Sequence, residues 1–304
     1  MNKYNMNKYI INKYVIIIFI IYIIVLYITN TRENFEELKT YNIPKNIFTF
    51  WNSSKLDPLI EYHIQIWEKK LPYWKIHILT MDNINEYIDK KYYIQFINLS
   101  PQHFSDHVRL YLLEKYGGLW MDGSILIRDP TFIYNLYNDM YNKKSQLGVF
   151  EYKINTINNS YPYLENWFIM APKNSYIIKL WKIEFDKCQK TDETINKCRN
   201  IIINSGTNIN KTIKDNNYLM QHAILNMLCN NKSINLNDIN ILQASDSMFY
   251  LQDKVNWNVE KLGKILLSDE INKYNNVYAI KYTKYARIYL SDRIQQYKQY
   301  QKFE

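Results

Sequence analysis

Asp106 and Arg109 stand three residues apart in SDHVRLYLLEKYGG, a spacing that puts both side chains on one face of a helix. Asp122 follows, at the end of the short apolar run Leu119-Trp120-Met121. The chain has six glycines, and three of them, Gly117, Gly118 and Gly123, fall in this stretch. Two carboxylates and a guanidinium facing one crevice can bind sugar or ribose hydroxyls, hold a divalent cation and offset phosphate charge. Gly118 and Gly123 would leave room for a ligand close to the backbone. A nucleotide sugar needs such a set. The same residues would serve equally as a surface Asp–Arg pair beside a glycine-turned loop.

These side chains must be placed by the elements around them. IPKNIFTFW reads as a turn and then a buried strand over Asn46–Trp51. Leu59, Ile60, Ile64 and Trp67 have helical spacing that ends at Pro72. KIHIL (75–79) is a short strand and NINEYID (83–89) a short helix. The helix of SDHVRLYLLEKYGG starts at Ser105 or at Ser100-Pro101, and Gly117 stands where a left-handed cap is wanted. LWM (119–121) and SILIR (124–128) are strands flanking Asp122-Gly123. Further strands are expected in LGVFEY and WFIMA, helices in SYIIKLWKIEFDKC and NNYLMQHAILNMLC, and a mixed tail after Ile241. Alternating strands and helices indicate an α/β layer with a mostly parallel sheet, whose ligands bind outside the carboxyl ends of strands. Asp122 stands at such an end.

The chain of 304 residues suits one sizeable domain with appendages, and 47% hydrophobic against 22% charged residues argues against general disorder. The formal charge is +9, of which Lys3, Lys8 and Lys13 supply three. No dense Lys/Arg cluster with interleaved aromatics appears, so nucleic acid is not an expected partner. Residues 14–28 are fifteen uninterrupted apolar residues behind those lysines. They are expected to form a transmembrane signal-anchor over 14–29, with 1–13 a cytoplasmic tail, 30–42 a stem and 43–304 the globular domain. That makes a single-pass type II membrane protein with its domain lumenal or exterior-facing. The spacing of Cys188, Cys198 and Cys229 does not suit zinc; Cys188 could pair with Cys198, or all three could be buried thiols.

SDHVRLYLLEKYGGLWMDGSILI resembles the central motif of the DXD-type sugar-binding glycosyltransferases, most closely the capsular polysaccharide synthesis branch. Relatives of that branch are the initiating mannosyltransferases and the clostridial glucosylating toxins. Ser105, Asp106, Arg109, Tyr116, Gly117, Gly118, Trp120 and Asp122 stand in the family's order and spacing. IPKNIFTFWN is similar to the opening strand, LENWFIMAPKNS (164–175) to the mid-domain segment with Asn166 and Trp167, and IKYTK (280–284) to the closing segment. The resemblance implies a GT-A type, Rossmann-like nucleotide-sugar domain. It also implies transfer of a sugar from a nucleoside-diphosphate sugar donor to a glycan or glycoprotein acceptor, with retention of configuration. By the same match Asp106, Arg109 and Asp122 are catalytic, and Trp51, Gly118 and Asn166 join them in holding the donor, Trp51 by stacking on its base.

Mn²⁺ or Mg²⁺ is implied as cofactor, with Asp122 in its shell. The second acid of the motif is Ser124 here, so another acid, an amide or water must complete that shell, or the enzyme leans less on a metal. A catalytically silent relative that binds nucleotide sugar or glycan is the alternative. His103, His107 and His222 read as structural or surface groups, since HFSDH lacks the Glu of a zinc-protease pair.

Overall fold

The computed structural model describes residues 20–23, 41–188, 192–208 and 219–301. The chain divides into two compact units, residues 1–41 and 42–304. In the first unit only residues 20–23 and 41 are described, the former as one exposed helical turn. The expectation of a membrane anchor over 14–29 is corrected on this point. Among the described residues no helix is long and apolar enough to cross a membrane. The rest of the expected anchor, residues 14–19 and 24–29, lies outside the described residues. The type II placement falls with the anchor, and the expected tail and nearly all of the expected stem lie outside the described residues.

In the second unit IPKNIFTF supplies strand β1, Asn46–Phe50, buried at four of its five positions. Helix α1, Pro58–Lys70, begins where Asp57 accepts from the Leu59 N–H and Pro58 takes the first helical position. Its buried face includes Leu59, Ile60, His63, Ile64 and Trp67. β2 is Lys75–Leu79. NINEYID gives only a 3₁₀ turn at Ile84–Glu86. Helix α2, Pro101–Tyr116, starts at the earlier of the two expected caps: Ser100 accepts from the His103 N–H ahead of Pro101. Asp106 and Arg109 therefore sit in its second and third turns, and both are buried. The helix ends at Gly117, whose φ of 67° favours glycine, and an added Cβ there would come within 2.5 Å of the Lys173 backbone nitrogen.

β3 (Gly118–Met121), β5 (Leu147–Glu151), β6 (Leu164–Ala171) and β7 (Ile239–Gln243) complete a six-stranded sheet in the order β2-β1-β3-β6-β5-β7. β1 runs parallel to β2 and β3, β6 antiparallel to β3 and β5, and β7 parallel to β5. Five strands thus point one way and only β6 runs against them. β4 (Ile125–Ile127) leaves this sheet and pairs antiparallel with β8 (Ala279–Lys281). Asp122, Gly123 and Ser124 form the link between the two sheets. Trp67 locks the crossing by donating its indole N–H to the Ile125 carbonyl at 2.9 Å. Cys188 and Cys198 form a disulfide, and Cys229 is a buried thiol.

Candidate active site

A cavity of about 1040 Å³ opens at the carboxyl edge of the sheet, lined by Trp51 after β1 and by Asp122 to Ser124 after β3. Its size stands at the upper end of small-molecule sites. The start of β6 reaches the same edge because that strand runs backwards. Pairing of β5 with β6 is irregular: Val149 opposes Ile169, yet Glu151, two residues on, opposes Leu164. Irregularities of this kind re-aim side chains, and here the consecutive residues Glu165, Asn166 and Trp167 all line the cavity.

The three residues singled out first converge there. Arg109 pairs through Nη1 with Asp106 Oδ1 and through Nη2, at 3.4 Å, with Asp122 Oδ1. Its guanidinium lies 5.0 Å from the centre of the Trp120 ring, a cation–π placement. Nη1 also donates to Gln221 Oε1 at 3.0 Å, and Gln221 returns its amide to the Asp106 carbonyl at 2.9 Å. Asn166 donates to the same Gln221 oxygen at 2.7 Å and to Asp106 Oδ1 at 3.3 Å. Asp106 is thus less a free ligand than the anchor of a buried amide–guanidinium lattice. Burial pushes its carboxyl up to about 6, against the pull of Arg109 and His222.

Asp122 differs. Burial would raise its carboxyl, but Lys281 and then Arg109 hold it below the ordinary value, with hydrogen bonds from Lys281 and Trp120 in support. Trp120 Nε1 donates to Oδ1 at 3.0 Å, and Lys281 Nζ reaches Oδ2 at 3.1 Å. The same ammonium donates to Ser124 Oγ at 2.6 Å. Asp106, Arg109, Asp122 and Lys281 therefore form a chain of alternating charge along the cavity wall.

A divalent cation does not fit these residues as they stand. Oδ2 of Asp122 and Oγ of Ser124, the oxygens where the motif would place it, both face the Lys281 ammonium, whose repulsion of a dication at contact would reach several kcal/mol. Among the described residues no group of three or more His, Cys, Asp or Glu side chains could hold a metal ion.

Trp51 lines the cavity, with the Arg287 guanidinium 4.8 Å from its ring centre. Arg287 is itself fixed by Asp57 at 3.1 Å. Gly118 is not brought to the cavity. Its φ is +105°, and an added Cβ would lie 2.6 Å from the Asn46 carbonyl oxygen. Gly123 meets Ile60 of α1, not open space. These two glycines admit the protein's own chain. His107 is paired with Asp186 at 2.7 Å and stacked on Phe96, away from the site. His222 does line the cavity, 3.4 Å from Glu165 and stacked on Tyr163.

Residues 3–297 match a family described as capsular polysaccharide synthesis protein. The chain belongs to this family. The central motif that carries the resemblance thus sits in a member of it, on the wall of an open cavity. O-glycosyltransferase braB of Annulohypoxylon truncatum is 29% identical over 159 residues, 47% of this chain and 37% of that protein. Glycosyltransferase afumC of Aspergillus fumigatus (strain CBS 144.89 / FGSC A1163 / CEA10) is 26% identical over 153 residues, 45% of this chain and 38% of that protein. The matched region therefore spans less than two fifths of either relative. Among solved structures, PaToxG glycosyltransferase aligns at 15% identity and a TM-score of 0.37, covering 91% of this chain and 93% of that one. Galactosyltransferase LgtC in complex with donor and acceptor sugar analogues aligns at 12% identity and a TM-score of 0.44, covering 83% and 94%.

Gln221, Glu165 and Lys281 escaped the sequence reading. Lys281 lies inside IKYTK, the segment likened to the family's closing stretch, and that likeness was the one signal that pointed to it.

Proposed function

We propose that this family member is a glycosyltransferase that takes a sugar from a nucleoside-diphosphate sugar and passes it to a hydroxyl of a glycan or glycoprotein. One observation carries the reading: Asp106, Arg109 and Asp122, from two separate elements, meet on one open cavity at the carboxyl edge of the sheet. The base of the donor stacks on Trp51, on the face that Arg287 leaves. Asp122 and Asn166 hold hydroxyls of ribose or sugar, and Arg109, kept in place by Asp106 and Gln221, faces the phosphates. In the transfer the bond between the anomeric carbon and the diphosphate oxygen breaks, and its electron pair stays on the phosphate. The acceptor oxygen bonds to the anomeric carbon, and its proton passes to the departing phosphate. Positive charge fixed beforehand at that oxygen is the main lever for such a step.

Incubating the full chain with a panel of UDP- and GDP-sugars, with and without Mn²⁺, tests the reading. Release of UDP or GDP, with a sugar-bearing product when acceptor is present, is the expected result. No turnover and no nucleotide binding with any donor would sink it. NMR of the product's anomeric proton reports whether configuration is retained, the outcome that the resemblance implies.

A further inference from the structure

The contact between Lys281 and the Asp122–Ser124 turn has a consequence for how the donor is held. Lys281 sits in β8, directly opposite Ile125 of β4. Its backbone is pinned on both sides: its N–H donates to the Met248 carbonyl at 3.0 Å, and its carbonyl accepts from the Gln252 amide. The next residue, Tyr282, donates its N–H to the Ser124 carbonyl at 2.9 Å. The stem of the lysine is therefore rigidly placed, and its side chain is only 14% exposed while still lining the cavity. Of the three N–H donors of the ammonium, Asp122 and Ser124 take two. The Tyr282 carbonyl, at 3.5 Å, is at the limit of a hydrogen bond. That third donor is only weakly held, and a ligand oxygen beside the link between the two sheets can take it over.

Charge points the same way. Asp122, Ser124 and Lys281 carry no net charge together, so a dication added there would meet no second carboxylate. The cavity wall carries four cations, Arg109, Lys281, Lys284 and Arg287, against three carboxylates, Asp106, Asp122 and Glu165. Asp57 offsets Arg287 from behind the wall, which leaves no excess of either sign. The charge a diphosphate needs must therefore come from a single cation aimed at it, and Lys281 is one.

We infer that the Lys281 ammonium stands in for the divalent cation, so that this chain binds the diphosphate of its donor, and supports departure of the nucleotide, without a metal. This rests on the glycosyltransferase reading and gives its cation a residue. Ser124 then has a role of its own: its hydroxyl orients the ammonium, where a second aspartate would neutralise the charge offered to the phosphate.

Isothermal titration of the full chain with UDP and with GDP, first in EDTA and then in excess Mn²⁺, tests this. One of the two should bind in EDTA, with Mn²⁺ changing its Kd less than about threefold. Lys281→Met should weaken that binding about tenfold or more, the size of a hydrogen bond to a charged group, and Lys281→Arg should keep most of it. Melting temperatures identify any variant that fails to fold, and the wild-type comparison of EDTA with Mn²⁺ needs no variant. Binding that appears only with Mn²⁺ would overturn the inference and leave the glycosyltransferase reading intact. Unchanged binding in folded Lys281→Met would do the same. Binding of neither nucleotide in either buffer would overturn both.

Discussion

The Nδ1 atom of His63 lies 3.0 Å from the carbonyl oxygen of Gly123, beneath the turn that carries Asp122. A carbonyl only accepts, so the Nδ1 proton belongs to this bond and Nε2 faces Tyr297 Oη at 3.4 Å as an acceptor. Tyr297 in turn accepts from Tyr282 at 2.9 Å. The ring is fully buried, and burial pushes it from 6.5 down to about 4. A base depressed in the folded state adds stability that is complete above its unfolded value and is lost as pH falls towards the folded one. Stability should therefore decline between about pH 6.5 and pH 4, by on the order of 3 kcal/mol from this group. Urea melts across that window check it. His63→Gln, less stable at pH 7, should show a flatter profile over the same range, and an unchanged slope would remove His63 as the cause.

Asp106 predicts an acid limb in catalysis. Burial raises its carboxyl to about 6, while Arg109 and His222 draw it down. Protonation would release Arg109 from its buried partner. kcat/KM, which reports the free enzyme, should then fall as pH drops through about 6. The donor diphosphate stays ionised in this range and adds no limb of its own. Asp106→Asn should lose that limb and run about tenfold to a hundredfold slower at pH 7.5, the cost of a hydrogen bond to a charged group. A profile still bending near 6 in the variant would place the titrating group elsewhere.

Arg109 is fixed by two carboxylates, an amide and the face of Trp120. A lysine cannot reproduce a forked, planar set of contacts. Arg109→Lys should therefore lose most activity while remaining folded. Arg109→Ala leaves Asp106 buried without its partner, a change that typically destabilises by roughly 3–5 kcal/mol. Chemical melts and donor kinetics on both variants separate the two effects.

The helix–turn–strand motif was readable because its signals are local. Proline and serine mark the start of α2, glycine its end, and i,i+3 spacing joins Asp106 to Arg109. Strand β1 and the first half of the sheet follow from short apolar runs between turns. What joins the site across the chain has no such signal. Gln221 meets Arg109 across 112 positions, and Lys281 meets Ser124 across 157. Periodicity says which face of an element is buried, not which partner covers it. The glycines show the same limit: sequence told that something approaches the backbone, and the structure shows it to be the neighbouring strand at Gly118 and α1 at Gly123. Fifteen unbroken apolar residues behind three lysines suggested an anchor, and the described residues hold no helix long and apolar enough to cross a membrane.

Gly118 separates a structural role from a ligand role. At φ +105°, with the Asn46 carbonyl 2.6 Å from an added Cβ, alanine is strained whatever binds in the cavity. Residues forced into such backbone regions cost on the order of 1–3 kcal/mol each. Gly118→Ala should lower the melting temperature by several degrees and leave the donor KM of the folded fraction near the wild-type value. A donor KM raised about tenfold or more in well-folded protein would return Gly118 to the binding site, where the family resemblance had put it.

The Cys188–Cys198 disulfide gives a prediction that does not touch the cavity. It links the end of one helix, Tyr176–Cys188, to the middle of another, Asp192–Asn204, across a separation of 10 residues. Closing a loop of that length removes freedom from the unfolded chain by about 3 kcal/mol. Both helices pack near Met220–Asn230, the helix that presents Gln221 to Arg109, so loosening them has a route to the site. A Cys188→Ser/Cys198→Ser double variant should unfold at lower denaturant. Its kcat should fall only under conditions where these helices begin to melt. Wild-type protein in excess reductant should match the double variant, since the remaining cysteine, Cys229, is buried and its thiol pushed up to about 12 by that burial. If reductant leaves the wild-type melt unmoved while the double variant is destabilised, the loss belongs to the serines' packing and not to the bond.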